Sequence, residues 1–252
     1  MKELEDYDWF PPILRRFQTE FIGDMVAWTR IYQPIVPLVR KACNNDAVHQ
    51  IVDLCTGNAR PILFIAHQLS PRQRILLTDK YPNPPAQTIV SPHEIIFEAT
   101  SYDILTAPFE KNRLYTMFNA FHHFDAATQI SILQQLQQSG SPFIIVEILQ
   151  PNPFEFVKIL LTTTLGQLLV APFIKPFSWL RLLLTYLIPI NLLTVTIDGI
   201  ISVFKSKKIT YYEQICVAAQ LNDYQLNVTK INTYLFTNLT VIQGQTRDAS
   251  TT

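Results

Sequence analysis

Apolar residues follow two different rhythms along the chain. From Trp9 onward they recur at steps of three and four residues, the spacing of amphipathic helices, with interruptions at Pro34 and Pro37. After residue 47 they form short runs of about five residues, each followed by a turn signal or a helical stretch. Runs of this kind are typical of a parallel sheet with crossover helices. The pattern predicts an N-terminal helical cap over residues 1–46 and an α/β core over 47–150 and 210–245.

The core is predicted to contain five strands and a closing hairpin. A capping box at Thr210–Glu213 starts a helix after the fifth strand. The β-like runs 225–231 and 234–242 are separated by little more than Asn232 and Thr233, so we expect an antiparallel hairpin at one edge of the sheet. The predicted strands are residues 50–54, 74–78, 94–99, 114–118 and 143–147, with helices between them at 60–68 and 126–138.

Residues 151–209 form an apolar insert that breaks this pattern. Residues 156–173 and 177–204 are almost continuously apolar. A helix that spans a bilayer needs about 20 apolar residues. The uncharged parts, 159–174 and 182–197, are shorter and contain prolines. We therefore expect an apolar lid over a lipophilic pocket that rests on a membrane surface, with two membrane spans as the alternative.

Composition narrows the possible partners. Apolar residues make up 48% of the 252 residues and charged residues only 16%, which favours a large buried interior or contact with lipid. Twenty basic and twenty acidic residues cancel, without a basic stripe to hold a phosphate backbone, so we expect no nucleic-acid partner.

Two further features bear on the compartment. The first eight residues are acidic where a secretory signal would be basic and then apolar. Cys43, Cys55 and Cys216 are too widely spaced for a zinc knuckle or a redox pair and indicate reduced thiols. We expect a cytoplasmic protein at the inner face of a membrane, with an integral membrane protein as the alternative.

The most informative segment is the end of the first strand, Asp53-Leu54-Cys55-Thr56-Gly57-Asn58-Ala59. The chain has only six glycines, and one of them stands where backbone must come close to a ligand. The segment resembles the first motif of the class I S-adenosylmethionine-dependent methyltransferases, an acidic residue followed by a Gly-x-Gly-x-Gly turn, with Cys55 and Ala59 in place of the outer glycines. A nicotinamide-binding Rossmann domain is the main rival. Asp53 argues against it, because a carboxylate repels a pyrophosphate and attracts the cationic amino acid moiety of S-adenosylmethionine.

The resemblance extends to the ends of three later strands. Other short segments of the chain resemble a group of bacterial class I methyltransferases. The resemblance implies a Rossmann-like sheet of seven strands, the last one antiparallel, and S-adenosylmethionine as the cofactor. Asp79 would hydrogen-bond the ribose hydroxyls, and Asp103 and Ile104 would contact the adenine. Backbone at Phe118 and Asn119 would lie along the methionine part, and Asp53, Cys55, Gly57 and Asn58 would complete the cofactor site. The other short segments are Trp9-Phe10-Pro11, residues 77–83 and residues 198–202.

The candidate catalytic residues follow the fourth strand. His122 and His123 are similar to a His-His pair found there in many small-molecule methyltransferases, and each is able to take a proton from an acceptor hydroxyl or amine. Packing or capping is the alternative role for each. We expect no metal, because adjacent histidines rarely point both rings at one ion.

The predicted activity is methyl transfer from S-adenosylmethionine to a small lipophilic acceptor. Candidates for substrate contact are Glu147, Tyr186, Asp198 and Tyr212. The alternatives are a non-catalytic S-adenosylmethionine-binding or membrane-tethered scaffold and, third, a nicotinamide oxidoreductase.

Overall fold

The computed structural model describes residues 2–44, 48–69, 73–82, 91–221, 223–233 and 237–247, and its centre is a seven-stranded sheet. The strands are Gln50–Leu54 (β1), Arg74–Leu77 (β2), Glu94–Phe97 (β3), Arg113–Phe118 (β4), Phe143–Glu147 (β5), Tyr224–Asn232 (β6) and Asn238–Thr246 (β7). Their order is β3-β2-β1-β4-β5-β7-β6. Strands β1 to β5 are parallel, whereas β7 runs antiparallel to β5 and β6. The fold predicted from the sequence is confirmed.

Helices cover both faces of the sheet, which explains why its central strands are buried on both sides and mostly apolar. Ile51 packs in one buried cluster with helices of the N-terminal half, and its neighbour Val52 packs in a second cluster on the other face. Successive strand residues point to opposite faces, so both positions must be apolar. The helices of the cap and core are Pro12–Thr29 (α1), Val36–Cys43 (α2), Arg60–Ala66 (α3) and Ala126–Ser139 (α4).

The insert is helical and lies between β5 and the last core helix. The helix Pro153–Leu161 (α5) continues through a π-helical turn, Thr162–Gly166, into Gln167–Val170 (α6). A second arm consists of Trp179–Leu182 (α7), a π-helical turn at Leu183–Leu187, and Ile190–Lys205 (α8). The core resumes with Ile209–Ala219 (α9).

Two local predictions are wrong. The last helix begins after Lys208, and no side-chain hydrogen bond caps it, so Thr210 lies inside the first turn and no capping box forms. The hairpin pairs Asn232 with Asn238, which makes the connection longer than two residues and moves the last strand toward the C-terminus. The predicted start of that strand, residues 234–236, lies outside the described residues. In the observed strand, Leu239 and Val241 are buried in the cluster on one face of the sheet and Ile242 in the cluster on the other.

The insert leaves much of its apolar surface exposed. In the described part of the chain, Pro153–Val170 has the length and apolar character of a membrane span, yet only 17% of its residues are buried. A second candidate span would require Trp179–Leu187 and Ile190–Lys205 to act as one helix, although the two are bent by 77° relative to each other. Large side chains with more than half of their surface exposed include Leu169, Phe173, Phe177, Trp179, Leu187 and Phe204.

One buried arginine fixes the insert to the cap. Arg181 is fully buried, and its Nη1 donates to Glu20 Oε2 of α1 over 2.7 Å. Its Nη2 donates to the carbonyl oxygens of Ile174 and Pro176. Asp24, one turn further along α1, accepts from the backbone N–H of Lys175 at 3.1 Å. Helix α1 therefore fixes the position of the loop that joins the two arms of the insert.

We predict that Arg181→Met destabilises the fold by about 3 kcal/mol, because the buried Glu20 carboxylate loses its fully buried cation and keeps only the more exposed Arg16, at 2.8 Å. The measurement is urea-induced unfolding. The matched control is Arg74→Met, which removes an exposed pair with Glu94 at 3.5 Å and should change stability by less than about 1 kcal/mol. Equal effects of the two substitutions would contradict the anchoring role of Arg181.

Candidate functional site

The loop between β1 and α3 lies at the carboxyl edge of the sheet, where ligands of open α/β sheets bind. Cys55, Gly57 and Ala59 all have left-handed backbone, with φ of 52°, 54° and 62°. These are the three positions at which the related motif carries glycine, and only glycine adopts this conformation without strain. The loop thus keeps the glycine-type path although two of its three glycines are replaced.

Helix α1 packs directly against this loop. A Cβ atom on Gly23 would lie 1.8 Å from Asn58 Nδ2, so the close approach requires glycine at that point of the helix. The Asn58 side chain therefore faces α1. Asn58 is part of the site loop, but its side-chain amide packs against the cap.

Asp53 is buried beneath the loop. Its Oδ2 accepts from the Thr56 hydroxyl at 2.5 Å, and its Oδ1 accepts from the Thr116 hydroxyl at 2.6 Å. Burial raises the pKa of the Asp53 carboxyl to about 7, against the opposing effect of these two hydroxyls. Both oxygens are engaged inside the protein, so in this arrangement Asp53 shapes the loop from below.

Asp79 follows β2 and meets the loop from the side. Its Oδ2 accepts from the backbone N–H of Gly57 at 2.8 Å and its Oδ1 from that of Tyr81 at 2.9 Å. Burial raises the pKa of the Asp79 carboxyl, while these N–H groups and the charges of Arg15 and His123 lower it. The structure therefore brings together Gly57 and Asp79, two residues predicted from separate motifs to contact one cofactor.

The residues predicted to contact adenine are divided between surface and core. Asp103 accepts from the backbone N–H of Leu105 at 3.0 Å, and Lys80 Nζ lies 3.5 Å from its other oxygen. The N–H of Tyr102 donates to the carbonyl of Asp79, which joins the loops after β2 and β3. Ile104 is buried in the core cluster on the α4 side of the sheet.

The end of β4 turns sharply away from the sheet. Phe118 is buried against Tyr32, with ring centroids 4.9 Å apart. Asn119 has φ of 52°, and its N–H donates to the carbonyl of Val146 at 2.7 Å. This turn leads directly into the short helical segment Phe121–His123.

Glu147 orients His122. The carboxylate Oε1 accepts from the N–H groups of Phe121 and His122, and Oε2 lies 2.6 Å from His122 Nδ1. The His122 side chain is fully buried, and its Nε2 has no hydrogen-bond partner among the described residues. A carboxylate on one ring nitrogen fixes the tautomer and leaves the other nitrogen available for chemistry.

The N-terminal strap, defined as residues 2–8, lies over this edge of the sheet. Its placement depends on Asp198 of the insert, whose carboxylate accepts from the N–H groups of Leu4 at 2.6 Å and Glu5 at 3.2 Å. Arg15 of α1 donates to the carbonyls of Glu5 and Tyr7. Asp198, predicted as a substrate contact, is therefore an anchor for the strap in this structure.

Three site residues were missed by sequence reasoning, namely Glu3, Asp6 and Lys205. Asp6 Oδ1 lies 2.9 Å from His123 Nδ1, and Lys205 Nζ lies 3.1 Å from Glu3 Oε1. Burial lowers the pKa of His123, and the Glu3 and Asp6 carboxylates raise it to about 9 on balance. The acidic start of the chain was the available signal, but it was interpreted only as the absence of a secretory signal.

The two predicted tyrosines are placed differently. Tyr212 is buried beside Phe121, with ring centroids 6.2 Å apart, and its hydroxyl has no hydrogen-bond partner among the described residues. Tyr186 is half exposed on the insert, and its hydroxyl donates to the carbonyl of Leu168. Tyr212 therefore belongs to the site region, whereas Tyr186 helps to join the two arms of the insert.

Comparison with known proteins identifies the fold. No protein-family model matches the chain. No curated protein matches it either. Among solved structures, LaPhzM matches with a TM-score of 0.50 and 13% identity, covering 86% of this chain and 55% of its own. The SAH-bound magnesium protoporphyrin IX methyltransferase (ChlM) from Synechocystis PCC 6803 matches with a TM-score of 0.50 and 10% identity, covering 88% of this chain and 84% of its own. The chain has the class I methyltransferase fold, and it spans about half the length of LaPhzM.

We predict that Asp53→Asn changes how stability depends on pH. Because the folded-state pKa is raised from 3.8 to about 7, the contribution of Asp53 to stability is full below pH 4 and is lost as the pH rises through 7. The stability of Asp53→Asn relative to the original chain should therefore increase between pH 4 and pH 8, as measured by urea unfolding.

The control is Asp125→Asn at the start of α4. Hydrogen bonds from Thr128 lower the pKa of the exposed Asp125 carboxyl, so its contribution is lost only as the pH falls below the usual range of an aspartate. A difference between Asp53→Asn and the original chain that stays constant from pH 4 to pH 8 would contradict the assignment to Asp53.

Proposed function

We propose that the chain transfers the methyl group of S-adenosylmethionine to a small lipophilic acceptor. The observation that carries this proposal is the hydrogen bond between the Asp79 carboxylate and the Gly57 N–H at the end of the parallel strands. In the class I fold these two positions serve one cofactor, the carboxylate at the ribose and the loop at the methionine part. The SAH bound to the Synechocystis methyltransferase, which has a similar fold, supports the same choice of cofactor.

The remaining cofactor contacts are proposed along the same edge. Asp103, next to the loop of Asp79, would accept from the adenine amino group. Cys55 and the backbone at Asn58, whose amide packs against α1, would line the methionine part together with backbone at Phe118 and Asn119. Much of the rate would come from positioning, because a methyl sulfonium is already a strong electrophile. His122 and His123 would then face the acceptor, since they lie beyond the turn that ends β4. Tyr212 of α9 packs beside Phe121 of the same segment and would lie next to them.

The exposed insert supports a lipophilic acceptor and a membrane surface as its source. Many exposed large apolar side chains on one segment, as here, are typical of contact with lipid or protein. Phe177 and Trp179 lie together on the insert, with ring centroids 5.1 Å apart. Aromatic side chains, tryptophan above all, favour the interface between lipid and water. Residues 205–208 include three lysines, which would suit an anionic lipid surface. Lys205 is paired with Glu3 and Asp6, which leaves Lys207 and Lys208 for such a contact. We propose peripheral attachment driven by apolar contact.

A second candidate is a membrane-tethered scaffold that binds S-adenosylmethionine without turning it over. The same exposed insert favours it, because tethering alone would account for that surface. The two functions differ in one measurement, the release of S-adenosylhomocysteine when the protein is incubated with S-adenosylmethionine and a lipid extract. Release supports the transferase, and cofactor binding without release supports the scaffold.

We predict that Asp79→Asn weakens S-adenosylmethionine binding by about ten- to a hundredfold, the effect of losing charge-assisted hydrogen bonds to the ribose. Isothermal titration calorimetry measures the affinity. Asp125→Asn serves as the matched control, because it removes the same charge from an exposed helix cap, and it should bind like the original chain. Unchanged binding by Asp79→Asn would refute the proposed cofactor site.

We predict that the doubly substituted chain Trp179→Asp, Leu187→Asp loses at least about tenfold in partitioning to phospholipid vesicles, because both side chains are about three-quarters exposed on the insert. The assay is co-sedimentation, and a wash with concentrated salt should leave the original chain bound. Val217→Asp is the control, since Val217 is 78% exposed on α9 of the core. Equal sedimentation of the double variant and the original chain would contradict attachment through the insert.

A further inference from the structure

Three residues with metal-binding side chains converge beyond the end of β4. Glu3, His122 and His123 each offer a ligand atom within 4.8 Å of the other two. Glu3 Oε1 lies 3.7 Å from His122 Nε2, and Glu3 Oε2 lies 3.6 Å from His123 Nε2. These separations are too long for hydrogen bonds. Two ligands of a tetrahedral ion are roughly 3.4 Å apart, so the spacing is close to that of a ligand set.

The other nitrogen of each imidazole is held by a carboxylate. His122 Nδ1 lies 2.6 Å from Glu147 Oε2, and His123 Nδ1 lies 2.9 Å from Asp6 Oδ1. Histidines that bind metals almost always donate their second ring N–H to a carboxylate or a carbonyl group. The two contacts orient both Nε2 atoms toward the same carboxylate, that of Glu3.

His122 provides an independent indication. Its side chain is fully buried, and its Nε2 is without a hydrogen-bond partner among the residues that the structure describes. A buried polar atom in this state is uncommon in native proteins. A metal ion between His122 and Glu3 would give this nitrogen its partner.

The surrounding charge also favours a cation. Glu3, Asp6 and Glu147 bring three carboxylates to the cluster, and Lys205 is the cation that contacts two of them, at 3.1 Å from Glu3 and 3.3 Å from Asp6. The field that holds the ammonium group attracts a divalent ion more strongly. Lys205 would therefore compete with a metal for Glu3.

We propose that Glu3, His122 and His123 bind a divalent transition-metal ion of the Zn²⁺ type, with Glu147 and Asp6 as positioning residues. Two imidazoles and one carboxylate suit such an ion, whereas Mg²⁺ prefers oxygen ligands throughout. The ion would lie on the acceptor side of the site. If the chain is a methyltransferase as proposed above, an acceptor hydroxyl bound to the ion would lose its proton more readily.

The test is metal binding by the full chain after removal of metal with a chelator. We expect one equivalent of Zn²⁺ to bind, and Co²⁺ in its place to show visible absorption bands of a site with nitrogen ligands. Glu3→Gln and His123→Ala should each lower the affinity at least about tenfold, and excess Mg²⁺ should not compete. His67→Ala, which removes an exposed histidine directly after α3, should leave the affinity unchanged.

Two further variants separate metal binding from a structural role of the cluster. Asp6→Asn should weaken Zn²⁺ binding by about ten- to a hundredfold through the orientation of His123. Lys205→Met should tighten it, because a competing positive charge is removed while the apolar stem is kept. A purely structural cluster would give neither change.

The proposal is overturned if the original chain binds no Zn²⁺, or if Glu3→Gln and His123→Ala bind it as tightly as the original chain. Glu3→Gln is nearly isosteric, and its unfolding midpoint without metal shows whether it folds. Because the assay contains no S-adenosylmethionine, its outcome is independent of the Asp79→Asn test.

Discussion

Burying carboxylates where the parallel strands end is the constraint on which the rest of this structure depends. Each of these groups is buried with a cation, a hydroxyl or an N–H group beside it, because an unpaired buried charge is severely destabilising. Asp53 has two threonine hydroxyls, Asp198 has two N–H groups of the strap, and Glu147 has His122. These acids and their partners come from the cap, the core and the insert. Satisfying these acids therefore requires all three predicted segments to assemble together.

The sequence was sufficient for the core because the core follows local rules. Strands β1 and β5 were predicted at the residues where they occur, since each is a short apolar run between clear turn signals. Gly57 and Asp79 were predicted as parts of one site because strand ends of a parallel sheet meet at one edge, and they are hydrogen-bonded. The hairpin was misplaced because alternation in its two strands permits several registers, and burial against β5 selects among them.

The side of the site that faces the acceptor was not predictable in the same way. Asp198 was identified as a substrate contact, yet its carboxylate accepts from the N–H groups of Leu4 and Glu5 and from the side-chain amide of Gln18, and no local pattern relates these segments. Glu3 and Lys205 were missed for the same reason. Their roles arise from tertiary contacts of the strap and the insert. The sequence pattern of neither segment predicts which residues it will contact. The same is true of Arg181. It stands in an apolar run of sequence, which does not predict that its side chain is buried against Glu20.

The contact between Leu4 and Asp198 also has a consequence for the order in which the protein is made. The two residues are 194 positions apart, so the strap emerges from the ribosome long before its anchor exists. At about 5 to 20 residues per second this delay is about 10 to 40 s. Contacts of such long range form late in folding as well. Each new chain therefore passes through a stage in which β1 to β5 have been synthesised while the strap lacks its anchor Asp198 and Glu3 lacks its partner Lys205.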